Sequence, residues 1–288
     1  MNLSELLNSK PFSITVEVIP PKGNDLSIFL GDLERVKGRV DAILVRELPS
    51  AVMRLGALST GVFLKERGFA PIVEFTCRDR NRLALQADLL GASVLGIENI
   101  LVTLGEDIKS GDHPEARAVF DLNDNELLGT IEKMRQGSDL AGNSLQGSPS
   151  LAAGASVVVD EREIERAIAE VEKKVSLGAR FIMTSPIFKP ALLNRFMGGV
   201  KKCTLPILTS VLLLKSAGMA NYLNKNIPGI SIPEEMIKKL LKSSDRGRTS
   251  VELASELIAE LKGLCQGINV VPIGWESKVP ALLDLLKM

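Results

Sequence analysis

Ser13–Ile19 reads SITVEVI and is stopped by Pro20-Pro21. The run is apolar and β-branched, with one acid, Glu17, set between Val16 and Val18. A strand buried on both faces reads this way, as a nearly continuous hydrophobic run rather than a strict alternation. A helical pattern over Leu26–Lys37 follows, then Gly38, then AILV at Ala42–Val45. The same unit recurs along the chain. Further strands are expected at Ile72–Thr76, Ile100–Thr103, Ala155–Val159, Phe181–Thr184, Ile207–Val211 and Ile268–Pro272. Helical patterns lie between them at Val52–Arg67, Asn81–Leu95, Asp124–Arg135, Glu161–Leu177, Leu192–Val200, Ser216–Asn224, Pro233–Ser243 and Thr249–Leu264, with a last one at Val279–Lys287. Several of these helices end in Gly shortly before a strand (Gly68, Gly96, Gly178), the residue that supplies a left-handed C-cap. Eight β/α units predict an α/β fold, a (β/α)8 TIM barrel forming a single domain over 1–288. An open doubly wound sheet fits less well, because no G-x-G-x-x-G follows the first strand. The Gly/Ser-rich stretch Gln136–Gly154 is expected to be a long loop on the active side of the barrel.

Composition limits the chemistry. Lys+Arg and Asp+Glu number 35 each, and the net charge is zero with the one His neutral. That balance argues against a bulk basic field of the kind that binds nucleic acid. Cys77, Cys203 and Cys265 are scattered and form no C-x-x-C pair, so neither a disulfide framework nor a zinc site is expected. Free thiols and an N-terminus unlike a signal peptide predict a reducing, cytoplasmic setting. No uncharged apolar stretch is long enough to span a membrane. A triad or His-ligated metal would rest on His113 alone, in Gly111-Asp112-His113-Pro114, which reads as a loop.

In a barrel of this kind, function gathers where the strands end. Glu17 is either a general acid or base whose pKa burial has raised, or a structural carboxylate bonded to a barrel Lys or Arg. The third strand exits into Thr76-Cys77-Arg78-Asp79-Arg80-Asn81, which is either a ligand-orienting cluster or a helix-capping network. The fourth exits into Thr103-Leu104-Gly105-Glu106-Asp107, where Gly105 would let backbone approach a ring or a phosphate, or simply turn. The sixth exits into Thr184-Ser185-Pro186-Ile187-Phe188. Lys174, on the preceding helix, reads as a solvated residue.

Together these strand ends resemble the methylenetetrahydrofolate reductase family, flavin-dependent (β/α)8 barrels. The resemblance is carried by Thr76–Gly96 (TCRDRNRLALQADLLGASVLG) with Ile97–Leu101, and by Gly111–Leu122 (GDHPEARAVFDL). It continues in Val16–Lys22, which fits the family's E-x-x-P-P, in Leu212–Leu223 (LLLKSAGMANYL) and in Ile232–Glu235. It implies reduction of 5,10-methylenetetrahydrofolate, or a related methylene-tetrahydropterin, to the 5-methyl form. FAD would be the cofactor (FMN in some relatives), reduced by NAD(P)H or a partner redox subunit. By this resemblance Glu17 is the general acid. Lys174 contacts the flavin, Leu104, Gly105 and Glu106 form its loop, and Ala118 and Val119 touch it. Thr184, Ser185 and Phe188 lie at the substrate.

Several positions depart from the family pattern. The acid after Gly105 is Glu106 where Asp is usual, and the second strand leads into Arg46-Glu47-Leu48-Pro49 where relatives commonly read T-D-N-P. The family's T-Q pair is Thr184-Ser185, and an acid after the sixth strand is Lys189. The G-x-x-P after the seventh strand is Ser210–Leu213, and apolar Val157–Val159 replace a flavin-holding Tyr or Asn. Retained Glu17 and Lys174 favour a divergent reductase. The altered positions favour a flavin-free pterin methyltransferase or a non-catalytic barrel subunit of a one-carbon complex. Apolar faces on outer helices fit internal packing or a homo- or hetero-oligomer equally.

Overall fold

The computed structural model describes residues 3–287. Eight parallel strands close into one barrel in sequence order, each paired with its neighbours and the last with the first. They are β1 Ser13–Val18, β2 Ala42–Val45, β3 Pro71–Thr76, β4 Asn99–Thr103, β5 Ala152–Val157, β6 Phe181–Pro186, β7 Ile207–Leu212 and β8 Gly267–Val271. The helices are α1 Leu3–Ser9, α2 Ser27–Glu34, α3 Ala57–Glu66, α4 Arg82–Val94, α5 Asp124–Arg135, α6 Ile164–Ser176, α7 Pro190–Gly199, α8 Ala217–Asn226, α9 Glu234–Lys242, α10 Arg246–Leu261 and α11 Val279–Leu285. The expected single-domain α/β barrel is therefore the observed one. No helix among the described residues is long and apolar enough to cross a membrane.

Strand register sorts the interior into layers. Glu17 is level with Leu44, Leu44 with Ile72, and Glu74 with Leu101. Since every second residue of a strand points inward, the lower interior is mainly apolar, built from Ala42, Leu44, Ile72, Leu101, Phe181, Met183 and Leu208, with buried Thr15, Asn99 and Asn269 as polar members at the same levels. One step toward the C-terminal end, Glu17 and Glu74 bring carboxylates inward. Phe181 is accommodated by the small residues of β5, because a Cβ on Gly154 would lie 2.1 Å from its ring. The larger core lies outside the strands, under the ring of helices.

The structure corrects several expectations. α1 was not visible in the sequence pattern. Leu3 and Leu7 plug the N-terminal end of the barrel, and the Leu3 N–H donates to Asn99 Oδ1 at 2.7 Å. The stretch 136–154 is not on the active side. It leaves the C-terminal end of α5 and enters the N-terminal end of β5, so it lies at the opposite face, tied down by Leu140 N–H donating to Gln86 Oε1 at 2.8 Å. Its last three residues belong to β5, which runs Ala152–Val157 rather than 155–159. Ala and Gly carry no β-branched signal, and they are needed there to make room for Phe181. The helix expected from Val52 begins only at Ala57, after a short helical turn at Pro49–Ala51.

Candidate functional site

The polar upper layer opens into a cavity of about 400 Å³ at the C-terminal mouth. Its centre is Arg46, the first residue after β2. Arg46 Nε donates to Glu74 Oε2 at 2.7 Å, Nη1 to Glu17 Oε1 at 3.1 Å and Nη2 to Glu106 Oε1 at 3.4 Å. One guanidinium thus serves three carboxylates from β1, β3 and the loop after β4. Glu74 is held further by the Glu47 N–H at 2.7 Å and the Thr103 hydroxyl at 3.0 Å. Glu17 Oε2 has no hydrogen-bond partner among the described residues.

Burial pushes the Glu17 pKa above its ordinary value, and Glu74 and Glu106 add to the shift while Arg46 opposes it. The same three carboxylates hold Arg46 firmly protonated against its own desolvation. Ser156 and Ser210 stand on the polar side of the cavity, with Leu44, Leu101 and Met183 as its apolar floor.

A second set of ion pairs supports the first from outside the barrel wall. Glu47 accepts from Thr76 N–H at 2.7 Å, the Thr76 hydroxyl at 3.2 Å and Arg80 Nη2 at 2.5 Å. Burial raises its pKa to about 7, against the pull of Arg80 and the Thr76 donors. A carboxyl raised this way makes the fold less stable as pH climbs from its unfolded value, near 4.5, to about 7. Glu17 acts in the same direction. Thermal unfolding across that window should show a falling midpoint, and Glu47→Gln should remove part of the fall. An unchanged slope in that variant would dismiss the assignment.

Arg78 is fully buried, with Nε and Nη2 on Asp79 at 2.8 Å each and Nη2 also on the Leu48 carbonyl at 3.2 Å. Gly105, at φ +90°, packs on it so closely that a Cβ would lie 2.9 Å from Arg78 Cβ. The turn after β4 therefore requires glycine both for its backbone and for space. Backbone strain gathers at this end of the barrel. Leu48, Ser50, Ala51, Phe120 and Ile273 all have positive φ, and all lie on loops after β2, β4 and β8. Such residues persist where surrounding structure holds them, commonly at ligand sites.

Glu17, Gly105, Glu106, Thr184 and Ser185 come together at the mouth cavity. Thr184 and Ser185 are engaged locally, however. The Thr184 hydroxyl donates to the Ser185 carbonyl at 2.8 Å, and Ser185 Oγ accepts the Val159 N–H at 3.1 Å. Leu104, Ala118 and Val119 are exposed on the loop after β4 and do not line the cavity. Val119 N–H bonds the Arg78 carbonyl at 2.7 Å, which lays that loop against the exit of β3. Phe188 is buried in the outer core, not in the cavity.

Lys174 is not a solvated residue. It is fully buried and paired with Asp124 at the start of α5. Ile164, Ala167, Val171 and Lys174 form one helical stripe on α6, all buried. That spacing was the signal for Lys174. The reading of sequence missed Glu74, which carries the same signal as Glu17, a lone acid inside an apolar strand. It also missed the central role of Arg46.

Leu104, Val119, Phe120 and Val158 are large apolar side chains left exposed on the loops that follow β4 and β5, and Val158 lines the mouth cavity. A groove of about 630 Å³ runs beside α5 and carries Lys133 and Lys173, which lie in the last turns of α5 and α6 and so away from the mouth.

A closed parallel barrel with a polar mouth cavity and a buried acid on its first strand belongs to the class of TIM-barrel small-molecule sites. Within that class, this chain belongs to the methylenetetrahydrofolate reductase family, whose model matches residues 2–274. No curated protein matches the chain. Among solved structures, it is similar to an uncharacterized Clostridium thermocellum protein that binds two copies of 5-methyl-5,6,7,8-tetrahydrofolic acid. The TM-score is 0.69 at 18% identity, over 98% of this chain and 96% of that one. It is also similar to an EDTA monooxygenase from Chelativorans sp. BNC1, with TM-score 0.59 at 10% identity over 96% and 92%. A 2,3-dimethylmalate lyase of the PEP mutase/isocitrate lyase superfamily gives 0.55 at 9% identity over 99% and 81%. At these identities the likeness is one of fold.

Proposed function

We propose that the protein reduces a methylene-tetrahydropterin to its 5-methyl form with a flavin as hydride carrier. The observation that carries this reading is Glu17, buried at the mouth of a barrel of this family, with a raised pKa and one carboxyl oxygen unpartnered. Exposed Leu104, Val119, Phe120 and Val158, on the loops that follow β4 and β5, suit the isoalloxazine and pterin rings. When bound, the flavin supplies the hydride.

The chain's own groups do the rest. Glu17 keeps a proton at its unpartnered oxygen and delivers it to the ring nitrogen from which the methylene bridge opens. Arg46 holds the other oxygen and so fixes the direction of that donation. Glu74 and Glu106 keep Arg46 in place. The apolar floor keeps water away from the reacting carbon. Because Lys174 is committed to Asp124, it acts by anchoring α6 to α5, not through the flavin.

A second reading has its own support. The cations at the mouth are all engaged by carboxylates, which suits a flavin-free site for a methyl-tetrahydropterin. The absorption spectrum of the purified protein separates the two. A yellow protein whose dithionite-reduced form is reoxidised by methylenetetrahydrofolate is expected. A colourless protein that takes up neither FAD nor FMN would overturn the proposal. Transfer of methyl from methyltetrahydrofolate to a thiol or corrinoid without redox change would select the second.

A further inference from the structure

We propose that a second cavity, of about 510 Å³ on the outer side of β1, is a binding site for a zwitterionic α-amino acid with an apolar side chain. Its cationic wall is Arg54, on the loop after β2. Arg54 Nη1 donates to the Pro20 carbonyl at 3.2 Å, whereas Nε is buried and has no partner. No carboxylate among the described residues pairs with this side chain. Nη2 also has no partner among the described residues, so this end of the guanidinium is left to receive a carboxylate.

The remaining charges choose among carboxylates. Asp25, Asp32 and Glu276 line the same cavity. Asp25 is oriented by the Ser27 N–H at 2.9 Å and its hydroxyl at 2.6 Å, and Glu276 by the Gly274 N–H at 3.1 Å. Three acids around one guanidinium disfavour a simple anion. They suit a head group that carries its own ammonium beside the carboxylate. The body of the ligand is specified by Phe29 and by Ile28 and Ile273, which are 85% and 37% exposed. Ile273 is held at φ +45° just before Gly274 at +75°, so the loop presents this side chain at a conformational cost.

The cavity is separate from the mouth yet shares its strands. On β1, Glu17 lines the mouth and Val18 this cavity. At the end of β8, Val271 lines the mouth and Ile273 this cavity. A ligand here would rest against the strand that carries Glu17. The inference does not depend on the proposed reaction, and its test uses neither folate nor flavin.

Isothermal titration of the whole chain with L-leucine and L-phenylalanine is the experiment. Both are expected to bind. Leucinamide, which lacks the carboxylate, and N-acetyl-leucine, which lacks the ammonium, should each bind at least about tenfold more weakly, and glycine should not bind measurably. Arg54→Met keeps the aliphatic stem and should lose leucine binding. Asp32→Asn should weaken it. If Arg54→Met fails to fold, Asp32→Asn and the comparison compounds on the unaltered chain decide. The proposal is overturned if neither amino acid binds at concentrations on the order of 10 mM. It is equally overturned if leucinamide or N-acetyl-leucine binds as well as leucine does.

Discussion

Glu17→Gln is expected to lower the rate of methylene-tetrahydropterin reduction by about 10²–10⁴-fold, the usual contribution of a positioned general acid. Gln preserves the shape of Glu and can still accept from Arg46, so the barrel should fold as before. What it cannot do is release a proton. Reduction of the bound flavin by its donor should proceed in the variant, because that half of the reaction needs no proton from Glu17. Rapid-mixing absorbance at the flavin bands, first with donor and then with methylenetetrahydrofolate, measures the two halves separately. A variant that reoxidises at a rate within a few-fold of the parent would remove Glu17 from the mechanism. Loss of both halves together would instead point to a damaged mouth.

The second large effect is on stability. Arg46→Met removes the charge that serves Glu17, Glu74 and Glu106 while keeping an apolar stem of similar length. Breaking a buried ion pair from one side costs about 3–5 kcal/mol, since the remaining charge stays desolvated. Arg46 is 24% exposed, which places the loss toward the lower end. Its sign with pH follows from the carboxyls. Arg46 opposes the raised pKa of Glu17, so without it the Glu17 value moves further up, and the penalty grows as pH rises through it and vanishes below the unfolded value. Urea unfolding at pH 5 and pH 8 should show the larger deficit at the higher pH. Equal stability of parent and variant at both would mean that the three acids are hydrated rather than held by the guanidinium.

Much of the architecture was legible in the chain. Apolar β-branched runs, helical periods and Gly before strands specify local structure, because backbone sterics and one-face burial act over a few residues at a time. Their regular alternation is sufficient for the barrel, and Glu17 announces itself as a carboxylate where carboxylates are costly. β5 was blurred because Ala152, Ala153 and Gly154 answer to the bulk of Phe181, a neighbour from another strand. α1 was missed because Leu3 and Leu7 make sense only once the barrel has an open end to fill.

The site itself was decided by closure. Arg46, Glu74 and Glu106 lie far from Glu17 in sequence, and nothing in their local pattern says that one guanidinium reaches all three acids. That meeting depends on the stagger between β1, β2 and β3, which sets Glu17 level with Leu44 and lifts Arg46 one inward step above it. Helix phase likewise removed Lys174 from the list of mouth residues and gave it to Asp124. The sequence by itself determined the units, their order and the presence of a buried acid, since these follow from local periodicity and the cost of burial. Only the tertiary structure decided which charges share the mouth, because Coulomb energies depend on distances that strand register and barrel stagger establish.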